Sequence, residues 1–151
     1  MITPEIVQFF HNQHFTIIST IDGKGYPHNS CKGIVEIDKS GRVYLLDLYT
    51  AGTYKNLKRN PRISITAVDE HKFIWYCLKG KAKILSKNKV EPQIIEAWRN
   101  KIASRVTIRI IKKIHGEKGH LRHPEILLPK PKYIIVIEVD TIIDLTPGHL
   151  K

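Results

Sequence analysis

HFTIISTIDGKGYPHNSCKGIVEIDKSGRVYLLD, residues 14–47, decides the fold. The β-branched run from His14 to Ile21 reads as a strand, DGKG at 22–25 as a hairpin turn, and Asn29 to Ile37 as a second strand. DKSG at 38–41 reverses the chain again, and Val43 to Leu48 is a third strand. Tight turns make these strands antiparallel neighbours.

Working outward, Thr3-Pro4-Glu5 is a helix start, with a hydroxyl cap, a proline whose φ is preset and an acid at the positive end of the dipole. A short helix is expected from Pro4 to about Asn12. On the other side, TAGTYKNLKRNP at 50–61 offers Thr53 or Thr50 as the cap of a second short helix, stopped by Asn60-Pro61. Ile63 to Val68 is a fourth strand and Lys72 to Leu85 a long fifth, with Gly80 as a bend or bulge. From about Glu91 to His115 the apolar residues Ile95, Trp98, Ile102, Val106 and Ile110 recur at three and four, so one face of a long helix packs. A loop at 115–132 leads to a sixth strand, Tyr133 to Ile143. The expectation is an α+β domain spanning 1–151: a six-stranded antiparallel barrel with flanking helices and a helical insertion at about 91–115.

The chain has 151 residues, 42% hydrophobic and 26% charged, enough to bury a core without disulfide or metal staples and too apolar for disorder. No apolar run reaches the roughly 18 residues of a membrane span, and the first fifteen residues lack the pattern of a signal peptide, so a cytoplasmic location is expected. Cys31 and Cys77 lie in separate apolar segments, which suits buried free thiols better than a metal or redox pair. The formal charge of +11 favours a phosphorylated or polyanionic partner. One class of partner is nucleic acid, met by the basic stretch from Arg99 to Lys132. Against it, aromatics make up only 8% of the chain and are not interleaved with lysines on one strand face.

No nucleophile elbow, HExxH, Walker or dinucleotide-binding glycine pattern is present. His115, His120 and His123 share a loop, but only Glu117 and Glu125 stand nearby to complete a ligand set, so solvated histidines are expected and no metal site. The stretch worth weighing is DLYTAGTYKNLKRNP at 47–61. Thr50 and Thr53 precede or begin a helix whose first turn exposes unpaired N–H groups, and Lys55 adds a positive charge at that end. Such an end holds a phosphate; it is equally the start of an ordinary capped helix with lysines facing water.

GYPHNSCKGIVEIDKSGRVYLLD at 25–47, TYKNLKRNPRISITAVD at 53–69 and GKAKIL at 80–85 together resemble the FMN-binding split barrel of the pyridoxamine 5′-phosphate oxidase-like superfamily. The resemblance runs from about Phe15 to Leu85. It implies a homodimer with two FMN molecules in clefts shared between subunits. Carried over by position, it puts Ser30, Cys31, Lys32 and Gly33 along the flavin, Asp47 and Thr50 on the next strand and its exit, and Thr53, Lys55 and Asn56 on the phosphate. Trp75 falls where the second subunit reaches the ring, although a core aromatic is an equal reading. Oxidases of this family place an arginine at the position of Ser30 and an Arg-Lys pair at Tyr54-Lys55, and end on a segment that DLTPGHLK does not match. The vitamin B6 oxidase reaction is therefore not expected. What the resemblance implies instead is an oxidoreductase or electron-transfer flavoprotein acting on a small molecule or redox partner, the cofactor supplying the chemistry. A haem- or deazaflavin-binding member of the same fold is the alternative, with the loop histidines favouring haem.

Overall fold

The computed structural model describes residues 2–47, 51–118 and 132–150. Thr50 and most of the 115–132 loop, with His120 and His123, lie outside the described residues. The order of elements is α1 (Pro4–His11), β1 (Thr16–Ile21), β2 (Pro27–Ile37), β3 (Arg42–Leu46), α2 (Gly52–Arg59), β4 (Arg62–Asp69), β5 (Ile74–Ser86), α3 (Pro92–Ile114) and β6 (Tyr133–Asp144). The six strands form a closed antiparallel barrel in the order β1-β2-β3-β6-β5-β4, with β4 pairing back onto β1.

Alternation along the strands sorts side chains between an inner and an outer wall. Ile18, Ile34, Val43, Leu45, Ile65, Leu78, Ile135 and Ile137 fill the interior. α1 closes one end of it with Ile6 and Phe10, its Thr3 hydroxyl accepting from the Ile6 N–H as the cap residue should. A second core lies outside the barrel, where Ile94, Trp98 and Ile102 of α3 cover Val35, Tyr44, Ile134 and Val136. Each such side chain contributes about 1.5–3 kcal/mol when fully buried.

The expected irregularity at Gly80 is present. On β6 Thr141 pairs with Lys79 and Val139 with Gly80, so Asp140 is an extra residue in that strand. The two backbones come so close there that a Cβ on Gly80 would sit 2.1 Å from the Glu138 carbonyl oxygen. The extra residue resets the alternation, which returns Ile142 to the inner wall opposite Leu78.

Four expectations need correction. β5 begins at Ile74 rather than Lys72, because Asp69 accepts from the Lys72 N–H at 3.1 Å and Phe73 takes a left-handed φ of 53°, which makes 70–73 a turn. Thr53 does not cap α2: the cap residue is Ala51, without a side-chain bond, and Thr53 is already the second helical residue, while Thr50 lies outside the described residues. The packed face of α3 is Ile94, Trp98, Ile102 and Arg105, with Ile110 55% exposed. Only the first half of this helix, about 34 Å long at 1.5 Å per residue, lies on the barrel-covering core. Finally, Cys31 is exposed, since its side chain points outward from β2, while Cys77 is buried.

Among the described residues no helix is long and apolar enough to cross a membrane.

The β2–β3 turn is organised by Asp38, whose carboxylate accepts from the Ser40 and Arg42 backbones, the Ser40 hydroxyl, the Arg42 guanidinium and the Tyr44 hydroxyl. Desolvation pushes its pKa upward, but these donors outweigh it and hold the value at about 2. The depressed value means that Asp38 stabilises the fold fully above its ordinary value of 3.8, and that this contribution is lost as pH falls through about 2. Urea midpoints measured against pH are expected to show Asp38→Asn less stable than wild type at neutral pH and the gap narrowing below pH about 4. A gap that does not change with pH would mean the carboxylate's charge is irrelevant.

Candidate functional site

The residues singled out on β2 do not share a wall. His28, Ser30 and Lys32 stand opposite Thr20, Ile18 and Thr16 of β1, which are all buried, so they point inward; Cys31 and Gly33 point outward. On the inner side, α2 lies over the end of the barrel with Leu57 in the core. Ser30 Oγ and Thr53 Oγ1 are hydrogen-bonded at 2.9 Å, tying the middle of β2 to the first turn of α2.

Behind this pair is a buried polar group. Lys32 Nζ lies 2.8 Å from Asp47 Oδ1, and the Tyr133 hydroxyl donates to Asp47 Oδ2 at 2.7 Å. Thr16 donates its hydroxyl to the Lys32 carbonyl at 3.0 Å, and the Tyr54 ring of α2 packs on Tyr133 with centroids 4.8 Å apart. Asp47 is 3% exposed, and Lys32 and Tyr133 both meet its charge there. Lys32 and Asp47 therefore act first on each other.

The start of α2 is built differently. No side chain caps Ala51, and Gly52 is a close approach: a Cβ there would lie 2.8 Å from His28 Nε2. His28 Nδ1 is buried with no hydrogen-bond partner among the described residues. Lys55 is exposed on the same turn. Asn56 faces the interior, donating to Thr20 Oγ1 at 3.0 Å and accepting from Arg59 at 2.8 Å, so it anchors the helix. Among the described residues, a helix start whose cap residue Ala51 offers no side-chain bond, one hydroxyl proton left by the Ser30–Thr53 pair, His28 Nε2 against Gly52 and the exposed Lys55 make a set of donors for a phosphate dianion.

On the outer wall, the space over Gly33 is filled. The Arg105 guanidinium would lie 2.6 Å from a Cβ on Gly33; it donates to the His14 carbonyl and covers the Phe15 ring at 4.9 Å. Burial, and then the neighbouring Arg105 charge, push the Lys101 ammonium below the ordinary lysine value. Trp75 is half-buried on the outer face of β5, opposite Val68, with its indole N–H without a partner among the described residues. The barrel wall separates it from the α2 cluster within one chain. Thr50 lies outside the described residues. Among the described residues no three His, Cys, Asp or Glu gather as a metal site.

The model of the pyridoxamine 5′-phosphate oxidase family matches residues 2–139. The chain belongs to this family. Its fold is shared with HupZ of Group A Streptococcus, solved as a histidine-to-alanine variant, at 25% identity and a TM-score of 0.64 over 96% of this chain and 100% of that one. General stress protein 26 of Bacillus anthracis is similar in fold at 17% identity and a TM-score of 0.57, covering 95% of this chain and 94% of that one. An F420 reductase shares the fold at 12% identity and a TM-score of 0.57, over 93% and 98% of the two chains. No curated protein matches.

Two residues of this site, His28 and Tyr133, were not singled out by sequence. Strict alternation along β2 points to His28, because it shares a wall with Ser30 and Lys32; nothing local points to Tyr133, which reaches Asp47 from β6 across 86 residues.

Asp47→Asn keeps the shape and removes the charge, leaving the Lys32 ammonium buried without it. A loss of about 3–5 kcal/mol in urea unfolding is expected. Tyr133→Phe, which removes one bond to a charged acceptor, is expected to cost about 1.5–3 kcal/mol. A cost for Asp47→Asn within about 0.5 kcal/mol, the range of an ordinary surface change, would show the pair to be dispensable.

Proposed function

We propose that this chain is an FMN-binding flavoprotein of the oxidase family, with the phosphate held at the N-terminus of α2, and that it works as an oxidoreductase or electron-transfer protein on a small molecule or redox partner. The observation that carries this is the start of α2, where Ala51 makes no side-chain cap bond, His28 Nε2 lies close against Gly52 and Lys55 is exposed on the same turn. The residues present fit the group. Backbone N–H groups of the first turn and Lys55 hold the phosphate, His28 donates to it or to its bridging oxygen, and the bonded Ser30–Thr53 pair keeps β2 and the helix at fixed spacing. Bound FMN would supply hydride or electron transfer itself.

The protein's own contribution is binding, orientation and exclusion of water. The Lys32–Asp47–Tyr133 group makes the floor of the site rigid, since each member is fixed by another strand.

Support for a homodimer with shared clefts comes from the wall that α3 leaves bare. Ile17 of β1 and Val68 of β4 are 45% and 48% exposed, and Phe15 and Phe73 flank them. A second copy placed there would cover this apolar surface and could bring its Trp75 to the cofactor. Light scattering is expected to report a dimer at micromolar concentration, consistent with an interface above about 2,000 Å². Tight FMN binding by a strict monomer would overturn the shared cleft.

Lys55 recognises a dianion and offers nothing to the flavin ring. Lys55→Ala is therefore expected to weaken FMN about 10- to 100-fold, the effect of losing one charge-assisted bond, and to leave riboflavin nearly unchanged. Flavin fluorescence titrations measure both. Equal losses for the two ligands would put the phosphate elsewhere.

A further inference from the structure

A groove of about 440 Å³ runs along the outer wall where β1, β4, β5 and β6 meet, and it is lined by Ser19, Arg62, Ser64, Lys79, Lys81 and Asp140. The register places these groups side by side. Ser19 pairs with Ser64, Ser64 with Lys79, and Arg62 with Lys81. Like charges directly opposite on antiparallel strands repel, so the Arg62–Lys81 pair is unfavourable; Glu138 of β6 stands opposite Lys81 on its other side, but that carboxylate is bonded to Lys83 at 2.7 Å. Arg62, Lys79 and Lys81 are all exposed, and none makes an ion pair with a described residue. The other exposed strand lysine nearby, Lys83, does find a carboxylate, Glu138, at 2.7 Å.

The bulge shapes this place. Asp140, the extra residue of β6, forms part of the rim, and a bulge bends its strand and re-aims its neighbours. The Thr141 hydroxyl donates to Asp140 at 2.8 Å and that of Ser19 to Asn29 at 2.7 Å, so the cations rather than these two hydroxyls supply the donors along the groove. Arg62, Lys79 and Lys81, with Lys83 beside them, stand against Asp140 and Glu138, which leaves this face with a net charge of +2, the complement of a phosphate monoester above its second pKa of about 6. Ile21 and Pro27 at the other side supply an apolar rest for an organic body.

We propose that this groove binds a small-molecule phosphate monoester, with the phosphate between Arg62, Lys79 and Lys81 and its organic part on Ile21 and Pro27. It is separate from the start of α2. The groove adjoins Arg62, which follows the C-terminal end of that helix, and eight helical residues put its two ends about 12 Å apart. The inference does not rest on flavin binding.

The experiment is a residue-resolved ¹⁵N NMR titration of the whole chain with phenyl phosphate and, in parallel, with inorganic phosphate at constant ionic strength. Saturable shifts at the amides of Ser19, Ser64, Lys79 and Lys81 are expected, with phenyl phosphate the tighter ligand. The double substitution Lys79→Ala with Lys81→Ala should weaken phenyl phosphate at least about tenfold, the loss of one or more charge-assisted bonds. Lys55→Ala should leave it unchanged. Shifts that grow without saturating, shifts confined to Gly52 and Thr53, or inorganic phosphate binding as tightly as phenyl phosphate would each overturn the proposal. The second of these would report the α2 site instead, so the two sites are told apart in one titration.

Discussion

Closure of the barrel depends on the backbone approach at Gly80. β6 must pair with β5 from Ser86–Tyr133 to Tyr76–Asp144 while also pairing with β3 through Ile135–Glu138, and a straight strand cannot follow two curving neighbours for that length. The extra residue Asp140 supplies the bend, and the missing Cβ of Gly80 lets the bend come close enough to keep the ladder. Without it, Ile142 would face water and the far end of β6 would present its polar side to the core. Beside the bulge, Arg62, Lys79 and Lys81 line a groove on the outer wall.

The inner end of the barrel shows what a closed sheet can do with polar residues. Asp47 is 3% exposed at the exit of β3, a position that costs several kcal/mol for an isolated charge. Lys32 from β2 and Tyr133 from β6 converge on its two oxygens, so three strands meet at one carboxylate. α2 then lies over this group through Tyr54, Ser30–Thr53 and Asn56–Thr20. A helix held on three sides has little freedom at its start, which is the requirement for recognising a phosphate by backbone N–H groups.

α3 makes the opposite use of the outer wall. Its first turns seal the face made by β2, β3 and β6, and Arg105 occupies the gap over Gly33. A guanidinium can lie flat against a strand where no Cβ intervenes, and its stem still packs as apolar surface. Among the described residues, Ile17 of β1 and Val68 of β4 on the other wall remain 45% and 48% exposed.

The strand pattern determined much by itself. Period-two alternation in 14–47 and tight turns at DGKG and DKSG required antiparallel neighbours, because side-chain direction alternates along any extended chain, and Gly80 marked a bend or bulge whose extra residue, Asp140, lies on the neighbouring strand. The proline-started helices were legible for the same local reason: capping and φ are set within a few residues. Contacts between distant segments were not. Which face of α3 packs was decided by the barrel it meets, so Arg105 is buried and Ile110 is not. The contiguous Ser30–Gly33 divided between two walls, Asn56 turned inward to Thr20, and Lys32 found Asp47. Tyr133 and Asp47, far apart in the chain, share a hydrogen bond only because β6 inserts between β3 and β5, and no local propensity encodes that neighbour.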